Sequence, residues 1–158
     1  MSRGIPPTLA KRYLHEVRYR NGNRELYAVG FKTDKDSYAL RSKSFKGWLG
    51  ASAIRTILVD GSTSVDVFEG FFDFLSALTY NRLLRPVCTT VVLNSTTNLN
   101  QALSAFEGAE TVNCYLDNDN AGRSSLAKLK ALYLPVNDCS GIYSNYNDFN
   151  DMVRHSTV

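Results

Sequence analysis

The 158-residue sequence has no long apolar run and few cysteines, histidines or tryptophans. No segment approaches the roughly 18 consecutive apolar residues that a membrane-spanning helix needs, so we expect no membrane partner. Residues 1–7 lack the apolar stretch of a secretory signal. These absences predict a cytoplasmic protein.

The scarce reactive side chains exclude several chemistries. Cys88, Cys114 and Cys139 are odd in number and form no Cys-x-x-Cys pair, which argues against a disulfide framework and against structural zinc, and favours a reducing compartment. His15 and His155 lack the acid and nucleophile pattern of a serine or cysteine hydrolase. The sequence also contains neither a G-x-x-x-x-G-K-[ST] loop nor a G-x-G-x-x-G motif after a strand.

Charge is unevenly distributed along the chain. Residues 1–57 hold 12 Lys and Arg against 4 Asp and Glu, a net charge of +8, whereas residues 58–158 hold 6 against 11, a net charge of −5. A basic part joined to an acidic part suits an enzyme that binds nucleic acid and holds metal ions through carboxylates. The alternative is a solvated basic surface without a partner.

The same division appears in the hydrophobic pattern. Residues 8–16 have helical spacing with Thr8 as a candidate N-cap, and the Asn21-Gly22-Asn23 turn between alternating runs predicts a hairpin. Residues 17–47 thus read as a basic antiparallel sheet. From residue 64 strand and helix patterns alternate, up to a short last strand over 134–137 and a final helix, which predicts an open, mostly parallel α/β sheet flanked by helices. We divide the chain into domains of residues 1–57 and 58–158.

Acidic residues fall where strands of the predicted parallel sheet end. Glu69 ends one strand, Asp117 and Asp119 end another, Asp73 lies one helical turn after Glu69, and Asp148 precedes the last helix. The carboxyl ends of parallel strands share one edge, so these like charges would repel without a cation, and Mg²⁺ is the ion that suits carboxylate ligands. The alternatives are an exposed turn at Glu69, an exposed helix position at Asp73, and turn or capping roles for the others.

Other Asp-x-Asp chemistries fit the sequence less well. A calcium-binding loop that began at Asp117 would need an oxygen ligand at its fifth position and Glu at its twelfth, where this chain has Ala121 and Lys128. A phosphoaspartyl hydrolase would have Thr in place of Ala121.

Three stretches resemble the motifs of Toprim domains in bacterial-type DNA primases. Residues 67–73 carry the strand that ends in Glu-Gly with a second acid four residues on, residues 115–123 carry Asp-x-Asp-x-x-Gly, and residues 147–151 are similar to the third acidic stretch. The polar loop 94–97 is similar to the small-hydroxyl loop of that family. Asn118 and Asn147 depart from the pattern, where the family commonly has Gly and Lys.

The basic part extends this resemblance to the primases. Val29-Gly30-Phe31 and Phe45-Lys46-Gly47-Trp48 look like segments of the basic subdomain that precedes Toprim in bacterial-type primases. The overall pattern is most similar to primase-like Toprim proteins of Bacteroidetes mobile elements, which often carry an N-terminal zinc ribbon that this sequence does not show.

The resemblance implies RNA primer synthesis from nucleoside triphosphates on single-stranded DNA, with a helicase or mobilisation proteins as further partners. Glu69, Asp117 and Asp119 would be catalytic and, with Asp73 and Asp148, would hold Mg²⁺, for which Mn²⁺ could substitute. A Toprim nuclease and a non-catalytic DNA-binding module are the alternatives. The expected nucleic-acid and nucleotide contacts are Arg41, Lys43, Lys46 and Arg123, with Trp48 or Tyr38 as candidates for stacking on a base.

Overall fold

The computed structural model describes residues 3–132 and 135–156, and the strands of these residues form two sheets. The first sheet is antiparallel with the strand order β1-β2-β3-β4, and Gly22 takes a φ of +60° in its first hairpin turn, as the Asn-Gly signal predicts. This confirms the predicted antiparallel sheet. Its strands are β1 (Leu14–Asn21), β2 (Arg24–Lys32), β3 (Tyr38–Arg41) and β4 (Lys46–Leu49).

The first helix is shorter than its periodicity predicts. Helix α1 (Pro7–Tyr13) has Pro6 at its N-cap and a proline in its first turn, so the predicted cap at Thr8 is wrong. The helix ends because Leu14 already pairs with Phe31 in the antiparallel ladder of β1 and β2. Residues 14–16, which the periodicity places in the last turn of the helix, therefore lie in strand β1 instead.

The second sheet is mostly parallel, as predicted. Its strand order is β5-β7-β6-β8-β9; β6 runs parallel to both β7 and β8, β8 runs parallel to β9, and β5 is the antiparallel edge strand. The strands are β5 (Arg55–Ile57), β6 (Ser64–Phe68), β7 (Thr89–Val92), β8 (Thr111–Tyr115) and β9 (Val136–Asp138). The predicted last strand begins at Leu134, which lies outside the described residues.

Helices cover both faces of this sheet. Side chains of β6 alternate, so that Val65 and Val67 join a core with the 3₁₀ helix and α3, while Phe68 joins a core with α2 and α4. The segment predicted as a helix over 99–106 is a 3₁₀ helix that begins earlier, at Thr96. The helices are α2 (Phe71–Tyr80), 3₁₀ Thr96–Phe106, α3 (Asn120–Ala131), 3₁₀ Ser140–Tyr143 and α4 (Phe149–His155).

The two sheets share a hydrophobic core. Phe31 of β2 is 2% exposed, and its ring stacks on Phe71 with 5.3 Å between centroids and lies 6.2 Å from Phe74. The domain boundary after residue 57 stays a prediction, although β5, which precedes that boundary, pairs with β7 of the second sheet. No helix among the described residues is long and apolar enough to cross a membrane.

Replacement of Phe31 tests this connection between the sheets. We expect Phe31→Ala to lower the free energy of unfolding by about 3–5 kcal/mol, because it leaves a cavity among aromatic rings. The matched control is Leu49→Ala on β4, where a 43% exposed side chain should change stability by no more than about 0.5 kcal/mol. Equal losses in urea denaturation of both variants would contradict a shared core.

Candidate nucleic-acid active site

The parallel pairing of β6 with β8 brings two acidic strand ends together. Phe68 lies opposite Tyr115 in the register, so Glu69 and Asp117 leave the sheet at the same edge. The Glu69 side-chain Oε2 accepts a hydrogen bond from the backbone N–H of Asp117 over 3.3 Å. The two acids that the sequence places 48 residues apart are therefore direct neighbours.

Helices α2 and α4 add two further acids at this edge. Asp73 lies in the first turn of α2, is 8% exposed, and accepts a hydrogen bond from the backbone N–H of Asn150 over 3.1 Å. A Cβ atom at Gly70 would lie 2.8 Å from Asp73 Oδ2, so a larger residue there would displace the Asp73 carboxyl group. Asp148 is the N-cap of α4 and accepts from the backbone N–H of Asp151; the capping role that the sequence left open is thus present.

A pocket of about 130 Å³ joins four of the predicted acids to two of the predicted cations. Asn94 contributes an amide to the same wall, and Arg3, which the sequence did not single out, contributes a guanidinium. The pocket thus combines anionic and cationic walls, as a site for a metal-bound phosphate requires. The predicted residues that line it are Glu69, Asp73, Asp117, Asp148, Arg41 and Lys46.

Three predicted site residues lie outside this pocket lining. Asp119 caps α3 by accepting from the backbone N–H of Gly122 over 2.9 Å, and it is still near enough to raise the pKa of Asp117 and Glu69. Lys43 lines a neighbouring cavity of about 270 Å³ that shares Arg41 with the pocket. Arg123 donates to the Asn118 carbonyl and to Asn120 Oδ1, each over 2.8 Å.

Burial and mutual repulsion disfavour the charged forms of these acids. Burial, followed by the charges of Asp73, Glu69 and Asp148, raises the pKa of Asp117 to about 8. Burial, with the charge of Asp148 next, also raises the pKa of Asp73, and burial raises that of Glu69 although Lys46 opposes this. The crowded carboxyls would lose this penalty if a divalent cation bound among them.

The donor atoms of the pocket fit Mg²⁺. Carboxylate oxygens are its preferred ligands, and the ion usually keeps several waters and takes only one or two carboxylates from a protein. Within residues 3–132 and 135–156, no three His, Cys, Asp or Glu side chains are placed to ligate one ion. Asn94 supplies a further hard oxygen: its Nδ2 donates to the Ala53 carbonyl, and its buried Oδ1 has no protein donor in the described part of the chain.

Two asparagines, Asn118 and Asn150, connect the segments that form the site. The sequence did not single them out as site residues. Asn118 donates from its backbone to the Asn147 carbonyl and from Nδ2 to the carbonyls of Tyr143 and Tyr146, so it ties the Asp117 loop to the segment before α4. Asn150, 2% exposed, donates from Nδ2 to Ser76 Oγ and to the Arg3 carbonyl. The spacing of residues in the sequence does not indicate these long-range hydrogen bonds. The sequence signal is Asn118 itself, which stands between Asp117 and Asp119 where the Toprim pattern commonly has Gly.

The mostly parallel sheet, with acids at its carboxyl edge and Arg41 and Lys46 facing them, defines an α/β domain with a pocket of mixed charge. The profile of the Toprim-like family matches residues 66–153, and that of a domain of unknown function (DUF8464) matches residues 1–50. The chain therefore belongs to the Toprim-like family. No curated protein matches it in sequence.

Solved primase structures share the fold. The primase fragment of the bacteriophage T7 primase-helicase protein is 17% identical with a TM-score of 0.63 over 94% of this chain and 65% of that one. A second match, at 15% identity and a TM-score of 0.59, covers 96% of this chain and 86% of that one; it comes from T7 lagging-strand DNA polymerase interacting with primase domains of two gp4 subunits bound to an RNA/DNA hybrid and dTTP. A DNA primase domain from Pseudomonas aeruginosa is 13% identical, with a TM-score of 0.52 over 98% of this chain and 65% of that one.

These likenesses confirm the predicted Toprim-like fold. At such identities they establish the architecture and not the activity. The chain also spans only 65% of the T7 primase fragment and of the Pseudomonas domain.

The role of Asn118 can be tested by stability. We expect Asn118→Ala to lower the free energy of unfolding by about 1–3 kcal/mol, because it leaves two carbonyls without their donor. Asn120→Ala, at the first residue of α3, is the matched control, since Asn120 is exposed and its side chain accepts a hydrogen bond only from the exposed Arg123 among the described contacts. Chemical denaturation of both variants measures the difference, and equal stabilities would contradict a bridging role.

The raised pKa of Asp117 predicts a pH dependence in EDTA. The folded protein keeps a proton that the unfolded chain releases above the ordinary pKa of 3.8, so stability should fall as the pH rises from there towards about 8. Asp117→Asn removes this contribution, and we expect the variant to exceed the wild type in stability at pH 8, with a smaller difference at pH 5. Urea denaturation across this range tests it, with the exposed Asp60→Asn as control; a pH-independent difference would contradict the shift.

Proposed function

We propose that this protein is a Mg²⁺-dependent nucleotidyltransferase of the DNA primase type, which synthesises RNA primers on single-stranded DNA for a mobile element. One observation carries the proposal: four carboxyls from different parts of the second domain line one pocket with Arg41 and Lys46 of the first sheet. This arrangement offers metal ligands on one side and phosphate-binding cations on the other.

The proposed roles follow from the positions of the side chains. We assign Mg²⁺ binding to Glu69, Asp117 and Asp119, with Asp73 and Asp148 in support: one or two of these carboxylates would contact the ion directly, and the others would hold its bound waters. When bound, the ion would polarise phosphoryl oxygens and favour deprotonation of the attacking 3′-hydroxyl. Asp73 has a second role, because its hydrogen bond to the backbone of Asn150 fixes α4 against α2.

The cations would orient the substrate. Arg41 and Lys46 reach the pocket itself and are placed to bind phosphate oxygens of a nucleoside triphosphate, and Lys43 extends the positive charge along the neighbouring cavity. Arg123, near the start of α3, does not line the pocket and would meet a phosphate beside the Asn118 carbonyl to which it donates. Positioning and charge stabilisation of this kind account for most catalysis of phosphoryl transfer.

The structural neighbours support this substrate class. One of them comes from a complex in which gp4 primase domains are bound to an RNA/DNA hybrid and dTTP, and another is part of a primase-helicase protein. By analogy, the partners proposed for this chain are single-stranded DNA, nucleoside triphosphates and a helicase. The mobile-element setting and a cytoplasmic location rest on the sequence resemblance.

A primer-synthesis assay tests the proposal. The protein is incubated with single-stranded DNA, radiolabelled nucleoside triphosphates and Mg²⁺ or Mn²⁺, and we expect new short RNA that disappears on addition of EDTA. Asp117→Asn should lower the rate by roughly 100-fold or more, because it removes a charge from the centre of the site. The exposed Asp60→Asn serves as the control and should retain full activity.

The products distinguish the alternatives. Shortened DNA without new RNA would identify a Toprim nuclease that uses the same acids for cleavage. Binding of DNA without either product would identify a non-catalytic module. Full activity of Asp117→Asn would refute the proposed site whatever the product.

A further inference from the structure

One face of the first sheet continues from the shared core, past the acidic pocket, to an exposed aromatic ring. We name it the rim face and define it by cross-strand neighbours, which share a face of a sheet. These neighbours form three rows across the strands. The first row packs against the shared core, the second contains the two residues that line the acidic pocket, Arg41 and Lys46, and the third is the farthest from the core. The rows are Leu14, Phe31, Ala39 and Trp48; then Glu16, Val29, Arg41 and Lys46; then Arg18 and Tyr27.

Tyr27 is the most exposed aromatic residue in the described strands of the first sheet, with 54% of its surface accessible. The guanidinium of Arg18, its cross-strand neighbour, lies 5.2 Å from the ring centroid. The aromatics that the sequence suggested for stacking are placed differently: Trp48 packs against the shared core, and the Tyr38 ring packs against His15. Tyr27 therefore keeps exposed ring surface for a base beside the face that the Arg18 guanidinium covers, and that guanidinium adds a positive charge to the platform.

A groove connects Tyr27 with the acidic pocket. The groove measures about 430 Å³, and aliphatic and aromatic side chains, among them Tyr27, Val29 and Leu14, make up much of its wall. Lys11 and Arg41 add positive charge to this wall, and the one carboxylate in it, that of Glu16, is paired with Arg18 over 3.4 Å. Arg41 also lines the acidic pocket and the cavity that contains Lys43, so this one residue borders all three spaces.

We infer that the rim face binds single-stranded nucleic acid, with one base stacked on Tyr27 and the adjoining phosphates on Arg41, Lys43 and Lys46. The inference rests on the proposed function, since the strand would run from Tyr27 to the acidic pocket. Successive rows are about 7 Å apart along the strands, a spacing that one nucleotide can span. In a duplex both faces of an internal base are covered by its stacked neighbours, so the platform selects single strands, whose bases can leave the stack.

Binding in EDTA tests the inference apart from catalysis. Fluorescence anisotropy with a labelled oligothymidylate should show that Tyr27→Ala weakens binding about tenfold, because stacking on an aromatic ring contributes strongly to each base contact. Tyr27→Phe keeps the ring and should bind like the wild type. The control is Tyr80→Ala, which removes a tyrosine of similar exposure (58%) from the far end of α2 and should leave affinity unchanged.

A second probe separates stacking from a structural role. On an abasic strand of the same length, Tyr27→Ala and the wild type should bind equally, because no base remains to stack. Lys43→Ala should instead reduce the slope of log affinity against log salt by about one on both probes, as expected for a lost phosphate contact.

Each outcome decides for or against the Tyr27 platform. Wild-type affinity of Tyr27→Ala, an equal loss on the abasic strand, an equal loss with Tyr80→Ala, or no binding of the wild-type protein would overturn it. If Tyr27→Ala weakens binding to the base-carrying strand alone while no primer forms in Mg²⁺, the platform stands and the proposed primase activity fails. If primers form in Mg²⁺ while Tyr27→Ala binds single-stranded DNA like the wild type, the proposed primase activity stands and the Tyr27 platform is overturned.

Discussion

The crowding of acidic groups at the carboxyl edge of the second sheet is the constraint to which the surrounding structure responds. Parallel pairing of β6 and β8 puts Glu69 beside the backbone of Asp117, and burial raises the pKa of both side chains. The fold tolerates this through hydrogen bonds from backbone N–H groups, such as those that Asp73, Asp119 and Asp148 accept. A divalent cation bound as proposed would relieve the remaining repulsion among these carboxyl groups.

The first sheet is the other half of this arrangement. Phe31 joins it to α2 through aromatic stacking, and this contact fixes where the rest of the rim face lies. Arg41 and Lys46, one row farther along the same face, consequently border the acids. The packing of Phe31 against α2 thus determines where the positive charges of Arg41 and Lys46 lie. The basic and acidic halves of the sequence meet at a common pocket because their apolar surfaces meet beneath it.

Much of the architecture was predictable from local patterns. The Asn-Gly hairpin, the alternation of strand and helix, and the acidic ends of β6 and β8 all depend on residues close in sequence, and the structure contains each of them. The end of α1 was not predictable, because Leu14 is taken up by pairing with Phe31. The bridging bonds of Asn118 were equally hidden, since their partners lie 25 and 28 residues away.

The sequence by itself carried the resemblance to Toprim domains, because each of the three motifs, in residues 67–73, 115–123 and 147–151, is a short continuous stretch. It also determined that basic and acidic segments are separate along the chain. Only the tertiary structure decided which residues share the pocket: it included Arg41 and Lys46, added Arg3 and Asn94, and set Lys43 and Arg123 outside. The physical reason is that the charge of a side chain and the periodicity of a segment are properties of residues close in sequence. The distance between side chains of different segments depends instead on how the two sheets pack. The exposure of Tyr27 and the partial burial of Trp48 were decided in the same way.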